Sequence, residues 1–307
     1  MKASFFRRFG GPEVFEYGEL PDPAPAAGEV VVDIHAASIN AADWKMRGGA
    51  YGNSKIDMPH VPGRDFSGVV AKAAGDLKVG DEVFGVCLVP QEGAYAEKIA
   101  ISHQIVTRKP KQLTHVQAAS IALTGLTALI SIEDTLKLKR GETILIQGGA
   151  GGVAGFGIAL AKHIGARVIT TASPSNHDYV RKLGADEVID YRSQDFTKVV
   201  KNVDAVFDTV GGDVMERSFA VLKPGGRLAS VGGGFGVPPS PRSDVTSLRP
   251  KVDRDRPHLD RVAELVTKGI VPLPEITEYP LAKAADAHRV SEARHLRGKL
   301  VLVVRGR

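Results

Sequence analysis

The sequence predicts an α/β chain: a doubly wound parallel sheet preceded by a barrel-like, all-β region. Three observations carry this expectation. From Thr143 onward, short apolar runs alternate with helix-compatible stretches, as they do when a parallel sheet is covered on both faces. Before that, alternating runs such as Val30-Val-Val-Asp-Ile-His35 are bounded by Pro and Gly clusters and suit antiparallel strands. Finally, 307 residues exceed the size at which one core stops growing, so two domains are expected.

In chain order, the first third offers strands over 2–8, 29–38, 66–74, 82–87 and 94–101. Residues 115–136 hold two apolar, helix-compatible stretches, placed as the bridge between domains. The alternating region then reads strand 143–147, helix 152–164, strand 167–171, helix 175–183, strand 187–190, strand 203–208, helix 214–222 and strand 227–231. Residues 233–257 are rich in Gly, Pro, Ser and Arg without periodicity and read as a long loop, either a surface excursion or a lid. Helical stretches over 259–268 and 281–291 and a strand over 299–304 complete the chain. The expected domains are 1–113, 114–270 and a C-terminal segment, 271–307, that returns to the first.

Hydrophobic residues make up 43% and charged residues 24%, the balance of an ordinary globular chain. No N-terminal apolar run suits a signal peptide, and no stretch is expected to reach the roughly 20 apolar residues of a membrane span, which suggests a cytoplasmic protein. The net charge of +5 is spread along the chain rather than gathered in a block, so a nucleic-acid partner is not favoured. One cysteine, Cys87, excludes an intramolecular disulfide framework and any site built from several thiolates. It is expected to be a small buried apolar residue.

The strongest local signal is Gln147-Gly-Gly-Ala-Gly-Gly-Val-Ala154, between an apolar strand and a helix. Gly149, Gly151 and Ala154 take the G-x-G-x-x-A spacing of a dinucleotide turn. Gly149 is expected to permit the tight turn, Gly151 to let backbone amides reach a pyrophosphate, and Ala154 to let helix pack on strand. Gly152 and Val153 belong to the same cradle. At the end of the next strand, Thr170-Thr-Ala-Ser173 lacks the Asp or Glu that binds ribose hydroxyls in NAD enzymes, which favours NADPH. Ser173 before Pro174 reads as a helix N-cap, a phosphate ligand, or both. Asn176, Tyr191 and Arg192 are further candidates for the adenosine side, and Val210, Val231 and Gly232 for the ends of later strands.

With these motifs in place, the chain resembles the quinone oxidoreductase, or zeta-crystallin-like, branch of the medium-chain dehydrogenase/reductase superfamily. The similarity runs nearly end to end. It rests on Asn40-Ala-Ala-Asp43 followed by Tyr51, Pro62-Gly-Arg-Asp-Phe-Ser-Gly-Val69, Gly93-Ala-Tyr-Ala-Glu97, Leu123-Thr-Gly-Leu-Thr-Ala128, the glycine turn, Phe207-Asp-Thr-Val-Gly-Gly212 and Gly298-Lys-Leu-Val301. The resemblance implies a GroES-like domain completed by the C-terminal segment, a Rossmann domain, an active site in the cleft and a homodimer. Zinc-dependent relatives carry Cys where this chain has Asn40, and His-Glu where it has Arg64-Asp65, so no metal is expected.

Without a metal, hydride delivery from NADPH suits an acceptor that is already electrophilic: a quinone or, alternatively, an α,β-unsaturated aldehyde or ketone. A non-catalytic NADPH- or RNA-binding protein is the reading from a different class. Asn40 and Tyr51 are the expected substrate-side donors, and Thr127 a cofactor contact. Asp43 and Arg47, four apart on a short helix, are expected to form an ion pair. Arg64 and Asp65 are expected to pair with neighbours in a structural role. Two departures from relatives stand out: Asn176-His177 where many have a phosphate-binding Lys, and Lys45 where some have a second tyrosine.

Overall fold

The computed structural model describes residues 1–50, 56–88, 91–233 and 236–305. The chain divides into two compact units: Met1–Leu123 with Arg254–Thr267 and Glu275–Arg307, and Thr124–Asp253 with Lys268–Pro274.

The first unit opens with the antiparallel pair β1 (Lys2–Phe6) and β2 (Phe15–Glu19). The long strand β3 (Glu29–Ser38) follows, then α1 (Ala41–Arg47), β4 (Asp65–Lys72), β5 (Glu82–Val86), β6 (Lys98–Ser102) and β7 (Val106–Arg108). Alternate residues of β3 point inward: Val30, Val32, Ile34 and Ala36 are fully buried, and Val30, Val32 and Ile34 pack with Phe66, Val83, Ile99 and Ile101 in one core. That period of two makes β3 a hub paired antiparallel with both β4 and β6.

Helix α2 (His115–Leu129) carries the unit boundary within it and runs on without a break into a π-helical turn, Ile130–Thr135. The two stretches expected over 115–136 are thus one helix. It also corrects the membrane expectation: His115–Thr135 is long and apolar enough to span a bilayer by length and composition, but 72% of its window is buried inside the protein, as in a core helix.

The second unit is a six-stranded parallel sheet in the order β10-β9-β8-β11-β12-β13. Its elements are β8 (Thr143–Gln147), α3 (Gly152–Ile164), β9 (Arg167–Ala172), α4 (His177–Lys182), β10 (Glu187–Asp190), α5 (Phe196–Val199), β11 (Val203–Asp208), α6 (Asp213–Ser218), β12 (Leu222–Ser230) and β13 (Thr246–Leu248). The order reverses between β8 and β11, which is the doubly wound arrangement with its switch point beside the first strand. Near-continuous apolar strands explain it: Ile144, Leu145, Ile146, Val206 and Phe207 are fully buried. Strand β13 lies inside the segment expected to be a loop; Thr246, Ser247 and Leu248 pair in parallel with Arg227, Leu228 and Ala229.

Helix α7 (Arg256–Thr267) groups with the first unit, as do β14 (Ile276–Pro280), α8 (Ala284–Glu292) and β15 (Lys299–Val303). β15 pairs antiparallel with β3 through Val301–Ser38, Leu302–Ala37 and Val303–Ala36, so the chain's last strand joins the sheet built on β3.

Candidate functional site

The glycine turn sits between β8 and α3, but its glycines divide their tasks differently from the sequence expectation. Gly148, with φ +78°, takes the left-handed conformation of the tight turn. Gly149 is held to glycine by proximity instead: a Cβ there would lie 2.3 Å from Thr170 Oγ1 on β9. Gly151 is the extended N-cap of α3, and a Cβ there would meet only Gly148 O, at 3.5 Å. This open side faces the start of a thirteen-residue helix whose first amides lack intrahelical acceptors, an arrangement suited to an anion. Gly152 and Val153 open the helix, and Ala154 is buried.

At the end of β9, Ser173 is only 6% exposed and stands where a carboxylate would otherwise end the strand. Ser173 precedes the 3-10 turn Pro174–Asn176, but its side chain makes no capping bond. The capping half of the expectation therefore fails. Asn176 Nδ2 donates to Ser173 Oγ at 3.1 Å, and the two hydroxyls of Ser173 and Ser175 are 3.2 Å apart, so the hydroxyl is drawn sideways into a polar cluster. Beyond β10, Tyr191 and Arg192 are exposed, and the Arg192 guanidinium lies 6.0 Å from the Tyr191 ring centre.

At the ends of β11 and β12, the buried Asp208 organises the backbone. Its carboxylate accepts from Val210 N and Gly211 N at 3.1 Å and from Ser230 Oγ at 2.7 Å, while its carbonyl accepts from Val231 N at 2.9 Å. Val210, 41% exposed, and the Val231-Gly232 step thus border the same strand ends as the glycine turn. Thr127, also in the second unit, accepts from Ser131 Oγ through its carbonyl at 2.6 Å.

Asn40 belongs to the first unit, where β3 runs into α1. It is 8% exposed, and its amide is turned inward: Nδ2 donates to Asp65 Oδ1 at 3.1 Å and Ser38 O at 3.3 Å, while Oδ1 accepts from Lys299 Nζ at 2.9 Å. Lys299 also donates to Ile39 O at 2.7 Å. Asp65, fully buried, accepts from Ser38 Oγ at 2.9 Å and Leu123 N at 3.2 Å. Burial pushes its carboxyl up against the opposing pull of Lys299, and pushes the Lys299 ammonium down. The expected role of Asn40 as a direct donor is corrected accordingly, because its amide protons are spent within the fold. Tyr51 lies outside the described residues.

Asp43 and Arg47 make no ion pair with each other. Asp43 Oδ2 accepts from Asn40 N at 2.9 Å, closing a capping box on α1, and from Tyr95 Oη at 2.8 Å. Desolvation, reinforced by Glu92, raises its carboxyl to about 7. Arg47 instead donates to Gly10 O at 3.1 Å, lies 3.1 Å from His288 Nδ1 and pairs with Glu292. Arg64 bonds Glu92 Oε1 at 2.7 Å and lies 3.9 Å from Asp43 Oδ1. Cys87 is fully buried and its thiol is pushed up by desolvation, which makes it inert as a nucleophile.

Family models match two stretches: an alcohol dehydrogenase GroES-like domain over residues 26–111 and a zinc-binding dehydrogenase domain over 183–302. Among solved structures, the quinone oxidoreductase from Coxiella burnetii superposes with a TM-score of 0.92 at 35% identity, covering 99% of each chain. The Escherichia coli quinone oxidoreductase complexed with NADPH gives 0.89 at 28% identity, covering 99% of this chain and all of that one. The NADPH-dependent alkenal/one oxidoreductase of Arabidopsis thaliana is 32% identical over 317 residues, covering 98% of this chain and 79% of the relative. The chain belongs to the quinone oxidoreductase branch of the medium-chain dehydrogenase/reductase superfamily.

As a member of that superfamily it is an oxidoreductase with a nicotinamide-dependent fold, a Rossmann-like sheet and a GroES-like domain. Lys299 is the residue of the first-unit cluster to which sequence reasoning gave no role. It stands in the Gly298-Lys-Leu-Val301 motif and opens the otherwise apolar strand Lys-Leu-Val-Leu-Val.

Proposed function

We propose that this oxidoreductase transfers hydride from NADPH to a quinone without a metal. The observation that carries this reading is the cluster at Asn40. A zinc centre needs three or four His, thiolate or carboxylate ligands. Here Asn40 Oδ1 is taken by a buried ammonium, Asp65 already accepts from Ser38, Asn40 and Leu123, and Arg64 stands beside it. Among the described residues no three His, Cys, Asp or Glu group as a metal site. The donor set does not fit zinc, despite the description of the matched family model.

The second unit suits the cofactor. The turn at Gly148–Gly151 and the α3 N-terminus would hold the pyrophosphate, with Gly152, Val153 and Ala154 behind it. Ser173 and Asn176, joined by Tyr191 and Arg192, would take the 2′-phosphate, since β9 does not end in the carboxylate that would repel it. Val210, Val231, Gly232 and Thr127 would line the rest. NADPH bound there supplies hydride to an acceptor that needs no Lewis acid. In the first unit, Asn40 acts as a positioning residue that ties Lys299 to Asp65, while Tyr51 remains the substrate-side donor. The first unit would form the substrate-side domain and the second the cofactor domain, with α7 moving to the former from the 114–270 stretch expected for the latter, in a cytoplasmic homodimer.

The test is NADPH oxidation with a naphthoquinone and with a medium-chain enal, each with and without a chelator. We expect turnover of the quinone at the higher kcat/KM and no effect of the chelator. Turnover of neither acceptor overturns the reading, and loss of activity on chelation overturns its metal-free part. A preference for the enal would favour reduction of a conjugated double bond, the second reading, which the alkenal/one oxidoreductase activity of the Arabidopsis relative supports. For the cofactor, Ser173→Asp should weaken NADPH binding at least about tenfold, equivalent to about 1.4 kcal/mol, and leave NADH binding unchanged or improved. Equal NADPH affinity in both forms would refute the placement of the 2′-phosphate.

A further inference from the structure

Arg254 lies just before α7 in the first unit, half-buried. Its guanidinium donates to Cys87 O, and among the described residues this backbone carbonyl is its one hydrogen-bond acceptor; no carboxylate pairs with it. Cys87 N in turn donates to Arg64 O at 2.7 Å, one residue past the Asp65–Val86 pairing of β4 with β5. Arg254 is therefore anchored beside Arg64, next to the residue whose carboxylate holds Asn40.

Arg64 has its own acids, Glu92 and, more distantly, Asp43. Arg254 does not. Desolvation and the like charge of Arg64 disfavour its charged form and hold it below the ordinary arginine range, against the weaker opposing pull of Asp65 and Glu92. A half-buried guanidinium with one protein acceptor leaves most of its five N–H donors unspent on the protein. The same features make it a strong seat for an oxyanion, which such a planar fork can bind through two parallel bonds.

We propose that Arg254, with Arg64 beside it, binds the anionic end of the acceptor, so that the preferred substrates are conjugated carbonyl compounds that also carry a carboxylate. This rests on the reading of the protein as a reductase of electrophilic acceptors. In an enone acid the hydride from NADPH adds to the carbon β to the ketone and a proton from water adds to the α carbon. NADP⁺ and the saturated keto acid result. Arg254 takes no part in these bond changes; it fixes the carboxylate.

A matched pair of acceptors isolates the charge: trans-4-oxopent-2-enoate and its methyl ester, assayed with NADPH on the wild type, Arg254→Gln and Arg254→Lys. We expect Arg254→Gln to raise KM for the acid at least tenfold more than for the ester, with Arg254→Lys between it and the wild type. NADPH affinity, read by fluorescence titration, separates the other source of oxyanions, the cofactor phosphates. If the variant loses NADPH affinity while the acid-to-ester ratio stays fixed, the seat belongs to the dinucleotide and the proposal is overturned. Equal loss for acid and ester also overturns it. If the wild type turns over neither compound but still reduces the naphthoquinone or the enal, the proposal is overturned; if it reduces none of the four, the reductase reading fails on its own. The seat is then decided by calorimetry of the acid in the presence of NADP⁺: binding lost in Arg254→Gln and partly kept in Arg254→Lys supports it, and equal binding or none refutes it.

Discussion

At the residue scale, the glycine turn shows how a correct motif can carry a mistaken reason. The spacing of Gly149, Gly151 and Ala154 is visible in the sequence, but the left-handed position is Gly148, and Gly149 is constrained by Thr170 on the next strand. Which strand neighbour touches a glycine is a tertiary fact that spacing cannot express. The two glycines should consequently respond differently to alanine. In Gly149→Ala the new Cβ would overlap Thr170 Oγ1, whose bond to Ile146 O at 2.6 Å holds it in place, and a loss of about 1–3 kcal/mol is expected. In Gly151→Ala the methyl meets only Gly148 O, at an ordinary van der Waals distance of 3.5 Å, so stability should change by no more than about 0.5 kcal/mol while NADPH affinity falls. Chemical denaturation and fluorescence titration of both variants check the pair; full NADPH affinity in Gly151→Ala would refute the cradle.

At the element scale, legibility followed periodicity. β3 and β8 were readable because each repeats a burial pattern over its length: alternation in one, continuous apolarity in the other. β2, with Phe-Glu-Tyr-Gly-Glu half-exposed, β7 with three residues and β14 ending in proline carry no such pattern, and only their partners make them strands. β13 is the clearest case, since three residues in a Pro- and Gly-rich segment become a strand by extending the edge of a sheet. α1 was placed correctly but with the wrong internal contact. Asp43 at the third helical position is committed to the cap, so the (i, i+4) pairing with Arg47 loses to a backbone amide and Tyr95. The membrane-length apolar helix was missed because its apolar content was divided between two stretches instead of being read as one core helix.

At the scale of the whole molecule, the C-terminal segment was recognisable as part of the first domain only through the family resemblance, because local pattern does not say where a strand or helix returns. Its return brings His288 on α8 beside α1: its ring lies 3.1 Å from an Arg47 nitrogen and 3.2 Å from Tyr95 Oη, the hydroxyl that also serves Asp43. The two titratable groups flanking Tyr95 are shifted in opposite senses. Burial, aided by Arg47, lowers His288 to about 3, below its unfolded value of 6.5, so the unfolded chain takes up that proton first and stability falls as pH drops from about 6.5 toward 3. Burial and Glu92 raise Asp43 to about 7 from 3.8, so the folded chain takes up that proton first, and the contribution of Asp43 grows as pH drops from about 7 toward 3.8. Over the shared window the slopes oppose each other at up to about 1.4 kcal/mol per pH unit each, and the wild type hides both. Single neutral substitutions should unmask them. Between pH 7.5 and 5, Asp43→Asn should lose stability on acidification more steeply than the wild type, and His288→Gln less steeply or with the opposite sign. Urea unfolding followed by the single tryptophan, Trp44 on α1, reports on this region directly. Parallel pH profiles for the three proteins would show that neither group titrates between the folded and unfolded states as its burial requires.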